Sequence, residues 1–269
     1  MRRFPLILSL VLLAGAAAAV DGFLIEPYRI QVTHYLVQAP VSQPLKIADL
    51  TDLHTTKFGR LERKLVDLLE REHPDVIVIT GDTVGHRRDY PGIKPLLSRL
   101  HAPLGVWLVR GNWETETGPP PRNEHAFYAV LGVHFLFNEA KPIRPDVWLV
   151  GLDDPVTGTP DFELASKPVP PNVYSIALFH GPVYFDQIAG RVPLALAGHT
   201  HGGQVRIPLV PVFWLPRGSG SFLEGWYTER GSRLYVSRGI GTSTIPVRFL
   251  CRPELPIITL VPEQPGQPR

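Results

Sequence analysis

Cysteine is almost absent from this chain. Cys251 is the single one, so no internal disulfide can form, and a small buried hydrophobe is the simplest expectation for it. Long runs of one charge are also missing, and the formal net charge is +2 over 269 residues. Composition therefore makes no case for nucleic acid, and no nucleic-acid partner is expected. Internal repeats and low-complexity linkers are absent too, which excludes a solenoid or a flexibly tethered multidomain chain.

What is present fits a globular protein with a full core: 44% hydrophobic and 19% charged residues. The 29 prolines gather largely in loops, as at Pro119-Pro120-Pro121, Pro168 and Pro170-Pro171. The first twenty residues stand apart. Arg2 and Arg3 precede an apolar run from Phe4 to Val20, broken only by Ser9 and Gly15. That length is at the lower limit for spanning a bilayer, and the alanines at 16–19 equally suit a cleavable signal peptide. Segment 1–20 is therefore expected to be a signal peptide or an N-terminal membrane anchor. The flanking arginines hold the N-terminus in the cytoplasm and put the body outside the cytoplasmic membrane, with the cytoplasmic face as the alternative.

Residues 21–44 form a connecting segment with a first strand at 29–37, where apolar and polar positions alternate. The chain then turns to a different rhythm. Strands are expected at 45–50, 75–80 and 104–109. Between them lie a helix marked by Leu61, Leu65, Leu68 and Leu69 that ends near Pro74, and a second helix at 91–100. This alternation implies parallel strands with helical crossovers. After a proline-rich loop at 115–122 and a short helix near 124–131, strands are expected at 133–137, 146–151, 173–179, 193–197, 204–207, 233–237 and 256–261, with a short helix after Pro182. One domain over 45–262 and a tail at 263–269 is the economical division.

The strand ends carry the chemistry. Asp52-Leu53-His54 follows the first core strand, Gly81-Asp82 the second, and Gly111-Asn112-Trp113-Glu114 the third. His180 and Gly198-His199-Thr200-His201 follow later ones. Ligands collect beyond the carboxyl ends of strands in open α/β sheets, and Asp, Asn and His are the oxygen and imidazole donors that divalent metals take. Each piece alone is weak: an Asn in a Gly-Asn turn usually serves left-handed dihedrals, and a lone His usually serves a structural hydrogen bond. Five such segments in order are a different matter.

This ordered set resembles the calcineurin-like metallophosphoesterases. GHTHGGQ at 198–204 and LYVSRGIGTSTIPVRF at 234–249 resemble a bacterial branch of membrane-linked or exported phosphodiesterases, which includes UDP-2,3-diacylglucosamine hydrolase-like proteins. The resemblance implies an α/β fold: a calcineurin-like sandwich of two mixed sheets flanked by helices in four layers. It implies two divalent metal ions, with Mn, Fe and Zn all suited to the donors. Asp52, His54 and His201 would hold one ion and Asn112, His180 and His199 the other, with Asp82 bridging. A water between the ions would attack a phosphoester or pyrophosphate in line, and Asp82, Asn112 and His199 would be central to catalysis. The substrate could be lipid-linked, and a UDP-2,3-diacylglucosamine diphosphatase of lipid A assembly is the runner-up. Trp113 departs from the pattern, because relatives place His after Gly-Asn. An indole donates a hydrogen bond but supplies no proton, so a good leaving group is implied.

A reading of another class is a catalytically silent, membrane-surface lipid binder. Val212, Phe213, Trp214, Leu215, Phe222, Leu223 and Trp226 would then form an apolar lip, unless the loop folds back onto the sandwich. The intact donor set argues against that reading.

Overall fold

The computed structural model describes residues 3–85, 90–116, 122–212 and 214–263. Arg2, the prolines at 119–121, Phe213 and most of the expected tail lie outside the described residues.

Helix α1 (Arg3–Val20) carries the apolar N-terminal run, and its side chains from Ile7 onward are largely exposed. It is long and apolar enough to cross a membrane, a test that signal sequences also pass. Strand β1 (Gln31–Ala39) follows, then β2 (Leu45–Leu50), α2 (Arg60–Glu72), β3 (Val76–Thr80), α3 (Tyr90–Leu97) and β4 (Val106–Val109). Each α2 boundary has a local cause. The Glu62 carboxylate reaches back to accept from the Gly59 N–H at 2.8 Å. His73 then turns left-handed at φ 47° just before Pro74, which cannot continue a helix. The chain continues through α4 (Trp113–Glu116), α5 (Glu124–Ala129), β5 (Val133–Phe135), β6 (Glu139–Arg144), β7 (Val147–Gly151), α6 (Phe162–Ser166), β8 (Tyr174–Leu178), α7 (Phe185–Ile188), β9 (Leu194–Ala197), β10 (Gly225–Glu229), β11 (Ser232–Val236) and β12 (Glu254–Pro262).

The strands make two mixed six-stranded sheets, ordered β1-β12-β2-β3-β4-β5 and β10-β11-β9-β8-β7-β6. The period-two alternation of side chains divides the core into three interlocking parts. In β3, Ile77 and Ile79 face helices α2, α3 and α5, meeting Leu65, Leu69, Ile93, Leu96 and Tyr128. Val76 and Val78 face the other way, into the space between the sheets, with Ile176, Leu178 and Leu196 from the second sheet. Ala177 and Ala195 on the far side of that sheet meet Phe162, Phe185 and Ile188 of α6 and α7. The result is the expected α/β sandwich of two mixed sheets between helices. Strands buried on both faces explain the continuous apolar runs at 76–80 and 194–197.

Three local expectations change. Residues 204–207 form no strand: only an isolated bridge, Val205 to Phe249, joins that stretch to a neighbour. Val205 and Ile207 alternate as in a strand but both stay exposed. Strands β6 and β10, the two ends of the second sheet's order, lie outside the expected set. β6 contains Pro142, which an edge strand tolerates and which masked the pattern. The stretch 210–226 divides: Phe222 is buried and Trp226 packs edge-on to Tyr35, while Val210 and Trp214 remain exposed.

Candidate metal centre

Five loops leave neighbouring carboxyl ends of β2, β3, β4, β8 and β9 and converge at one end of the sandwich. Their backbones are forced. Asp52, His54, Asp82, His199 and His201 adopt positive φ values between 43° and 73°, a region that costs a residue with a Cβ about 1–2 kcal/mol. Other described residues such as His73, Asn138 and Arg230 share this conformation at ordinary turns, but here five chemistry-bearing residues adopt it within one cleft. Two glycines permit the close approach. A Cβ on Gly111 would overlap the Asp82 carboxylate, and one on Gly198 would overlap the Thr51 hydroxyl and the Asp52 carboxylate.

Two groups of buried donors result: Asp52, His54 and His201, and beside them Asp82, His180 and His199. In the first, His54 Nε2 lies 3.1 Å from His201 Nε2, and His201 Nε2 lies 3.2 Å from Asp52 Oδ1. In the second, His199 Nδ1 lies 3.1 Å from His180 Nε2, which is 3.0 Å from Asp82 Oδ2. The groups are contiguous, because Asp82 Oδ2 is also 3.7 Å from His54 Nε2. Asn112 and Trp113 line the same cleft of about 440 Å³, with Glu116, Thr157, Trp214 and Arg217 on its walls.

The outer hydrogen bonds determine which atom each donor presents. His180 Nδ1 donates to the Thr80 carbonyl at 2.7 Å, which aims Nε2 inward at Asp82 Oδ2. His199 is reversed: Nε2 donates to the Arg217 carbonyl at 2.8 Å, and Nδ1 faces inward. The Asn112 amide donates through Nδ2 to Glu116 at 3.1 Å, which leaves Oδ1 buried and without a hydrogen-bond partner among the described residues. Asp52 Oδ2 accepts from the His199 N–H at 2.9 Å and from the Thr51 hydroxyl at 2.9 Å, while its buried Oδ1 has no hydrogen bond among the described residues. Buried lone pairs aimed at one another are costly on their own. Ligands about 2.1 Å from a shared ion stand roughly 3–3.4 Å apart, so the spacings and the donor chemistry both fit divalent cations.

The electrostatics divide the donor set. Burial acts to lower the His180 pKa, but Asp82 and Asp52 beside it outweigh that and raise it well above the ordinary range, so cation binding there would displace a proton. Burial pushes the Asp52 carboxyl up, but the surrounding imidazoles of His201, His180, His54 and His199 outweigh it and hold Asp52 below the usual range. Burial lowers His199 and His201 to about 4, so both stay neutral, as ligation requires. Burial also raises Asp82, to about 7, with Glu114 and Asp52 adding to the effect against the pull of His180.

Glu114 is the residue that sequence reasoning left without a role. It is fully buried, and its carboxylate accepts from Gly111 N–H (2.9 Å), Asp82 N–H (3.1 Å), Thr83 N–H (2.6 Å) and the Thr83 hydroxyl (2.7 Å). It ties the Gly-Asp loop to the Gly-Asn loop. Its place in Gly111-Asn112-Trp113-Glu114 was the available signal. Trp113 begins α4, and its indole stands edge-on to His54, ring centroids 4.6 Å apart.

Fold and site together define a metal-dependent phosphoesterase, and the profile of the calcineurin-like phosphoesterases matches residues 45–203. The chain belongs to that family. It is 29% identical to the uncharacterized metallophosphoesterase YkuE of Bacillus subtilis, over 93% of each chain. It is 30% identical to an uncharacterized metallophosphoesterase of Aquifex aeolicus, over 88% of this chain and 94% of that one. It is also 30% identical to phosphodiesterase YaeI of Escherichia coli, over 81% of this chain and 83% of that one.

Proposed function

We propose that this metallophosphoesterase hydrolyses phosphodiesters or pyrophosphates with good leaving groups. Asp52, His54 and His201 would hold one divalent ion. Asn112, His180 and His199 would hold the other, and Asp82 would be shared between them. The observation that carries the assignment is the outer hydrogen bonding, which turns Nε2 of His180 and Nδ1 of His199 inward beside buried carboxylate and amide oxygens. Two bound ions neutralise phosphate charge and lower the pKa of a coordinated water.

The chain's own residues do the rest. The Trp113 N–H donates to Asp82 Oδ1 at 2.8 Å and so orients the other oxygen toward both clusters. The indole walls the cleft and supplies no proton to a departing oxygen. Exposed Arg217 gives the open side a positive charge suited to a phosphate. The phosphodiesterase name of the Escherichia coli relative supports the same class.

In this reading residues 45–262 form the catalytic domain, 21–44 add a strand to it, and the apolar helix is an anchor or an export signal that puts the body outside the cytoplasmic membrane. A screen of metal-loaded protein tests the reading. It should include bis(p-nitrophenyl) phosphate and UDP-2,3-diacylglucosamine, at a matched series of Mn, Fe and Zn loadings. Hydrolysis of the aryl diester is expected. Failure on every diester and pyrophosphate with two ions bound would refute it.

A further inference from the structure

The turn that carries His201 runs directly into an apolar loop. Two residues on, Gly203 (φ +81°) lies so close to Val212 that a Cβ there would stand 2.9 Å from its methyl groups. Beyond it the loop leaves its hydrocarbon in the open: Leu209 is fully exposed and Trp214 is 70% exposed. Val205, Ile207, Val210, Val212, Trp214 and Ile245 line a cavity of about 400 Å³. The charged residue in that lining, Arg206, is neutralised by Glu224 at 2.8 Å. A monomer rarely keeps such a surface without a use for it.

This trough is continuous with the metal cleft. A second cavity of about 400 Å³ shares Val205, Trp214 and Ile245 with the trough, and it reaches His201, Ser243 and Thr244. His201, Trp214, Ser243 and Thr244 also line the cleft. The floor is held rigid by Gln204, whose side chain donates to the Ile245 carbonyl (2.9 Å) and accepts from the Ser243 N–H (3.0 Å).

The foot of the apolar helix is built onto the same wall. The Gly22 carbonyl accepts from the Arg248 N–H at 3.0 Å, and the Glu26 carboxylate accepts from the N–H groups of Leu250 and Cys251. Phe249, between them, exchanges backbone hydrogen bonds with the loop: its N–H to Gln204 at 3.1 Å, and its carbonyl from Arg206 at 2.8 Å. Exposed Phe23, Leu24 and Leu250 continue the apolar surface beside that joint. One short segment thus fixes both the membrane-competent helix and the trough.

We propose that the trough holds the acyl or alkyl chain of a membrane-borne phosphodiester whose phosphate lies in the metal cleft. This rests on the phosphodiesterase reading above and narrows its substrate to an amphiphile. A bilayer surface or a second copy of the chain could also cover hydrocarbon. Neither would account for an apolar path that leads to a metal-ligand histidine.

The test uses the full chain, held in a bile-salt-type detergent that has no alkyl chain to compete. Calorimetric titration of chelator-treated protein compares decyl phosphate with ethyl phosphate. Burial of one methylene is worth roughly a fourfold gain in affinity, so decyl phosphate should bind at least about tenfold more tightly. Ile207→Asp should erase that ratio, and Leu164→Asp, an exposed apolar site on α6, should keep it. Equal binding of the two phosphates would overturn the proposal, as would an unchanged ratio in Ile207→Asp or a lost ratio in Leu164→Asp. If Ile207→Asp weakens association with phosphatidylglycerol vesicles but keeps the ratio, the trough docks on a bilayer instead. If light scattering shows that it only dissociates a dimer, the occupant is a second copy. Turnover of p-nitrophenyl methyl and p-nitrophenyl decyl phosphates by manganese-loaded protein separates the two readings. Activity on both without chain-length preference spares the phosphodiesterase and sinks the trough. Chain-selective binding with no turnover of either ester sinks the substrate role.

Discussion

The Trp113 N–H donates to Asp82 Oδ1 at 2.8 Å, while the Trp113 indole stands edge-on to His54 with centroids 4.6 Å apart. Backbone and side chain of this residue therefore do separate jobs. The amide orients the carboxylate whatever side chain is attached, so an indole can stand here without disturbing Asp82.

Substrate preference should follow leaving-group acidity, since no imidazole at 113 can protonate an alkoxide. Aryl diesters and pyrophosphates should be cleaved far faster than alkyl diesters. General acid catalysis is worth about 10²–10⁴-fold, so Trp113→His should raise alkyl-ester turnover visibly and leave activated esters nearly unchanged. Trp113→Phe separates pocket shape from proton supply. Equal kcat/KM values for alkyl and aryl esters in the unmodified enzyme would sink the idea.

Glu114 should be worth more to the fold than a surface carboxylate. Glu114→Ala leaves the N–H groups of Gly111, Asp82 and Thr83 buried without their acceptor. Hydrogen bonds to a charged group contribute about 1.5–3 kcal/mol each before relaxation, so a loss of at least about 3 kcal/mol is expected. Glu114→Gln keeps one acceptor and should lose less. Urea denaturation reads the stability, and a change in metal content would show that the two loops have drifted apart.

Removing residues 1–20 should yield a soluble, active protein. The joint to the body is made by Gly22 and Glu26, which the truncation retains. An insoluble or inactive product would mean that the helix itself packs on the domain.

Away from the site, Asp146 offers a pH test. Partial burial acts to raise its pKa, but the Ser42 N–H, the Ser42 hydroxyl and Arg144 outweigh that and bring it down to about 2. A depressed carboxyl pKa means stability present above about 4 and lost as pH falls toward 2. The side chain keeps 23% of its surface in solvent, so screening should hold the effect under about 1 kcal/mol. Asp146→Asn should be slightly less stable than the unmodified protein at pH 6, with the gap closing near pH 2. A gap that widens on acidification would contradict this.

Much of this was legible in the sequence because two signals coincide. Runs such as VIVIT at 76–80 announce strands buried on both faces, and the Asp, Asn and His residues that follow sit where α/β sheets gather ligands. What escaped depends on long-range partners. β6 reads as Glu-Ala-Lys-Pro-Ile-Arg, a polar stretch made a strand only by pairing with β7. Val205 and Ile207 alternate like strand residues, yet find no ladder. The place of Glu114 two residues after Asn112 marks it as part of the site loop, but no local pattern shows that it turns inward to hold three N–H groups. The apolar loop likewise divides at a point no local pattern marks, with Phe222 folded in and Trp214 left out.

The central claim is that two ions share Asp82, each held by one of the two paired histidines. Metal analysis of purified protein, run alongside bis(p-nitrophenyl) phosphate hydrolysis, tests it most directly. The unmodified chain should carry two ions. His199→Ala and His201→Ala should each fall to about one, and Asp82→Asn should lose metal and all turnover. An Asp82→Asn protein that retained two ions and hydrolysed the diester at the unmodified rate would contradict the account.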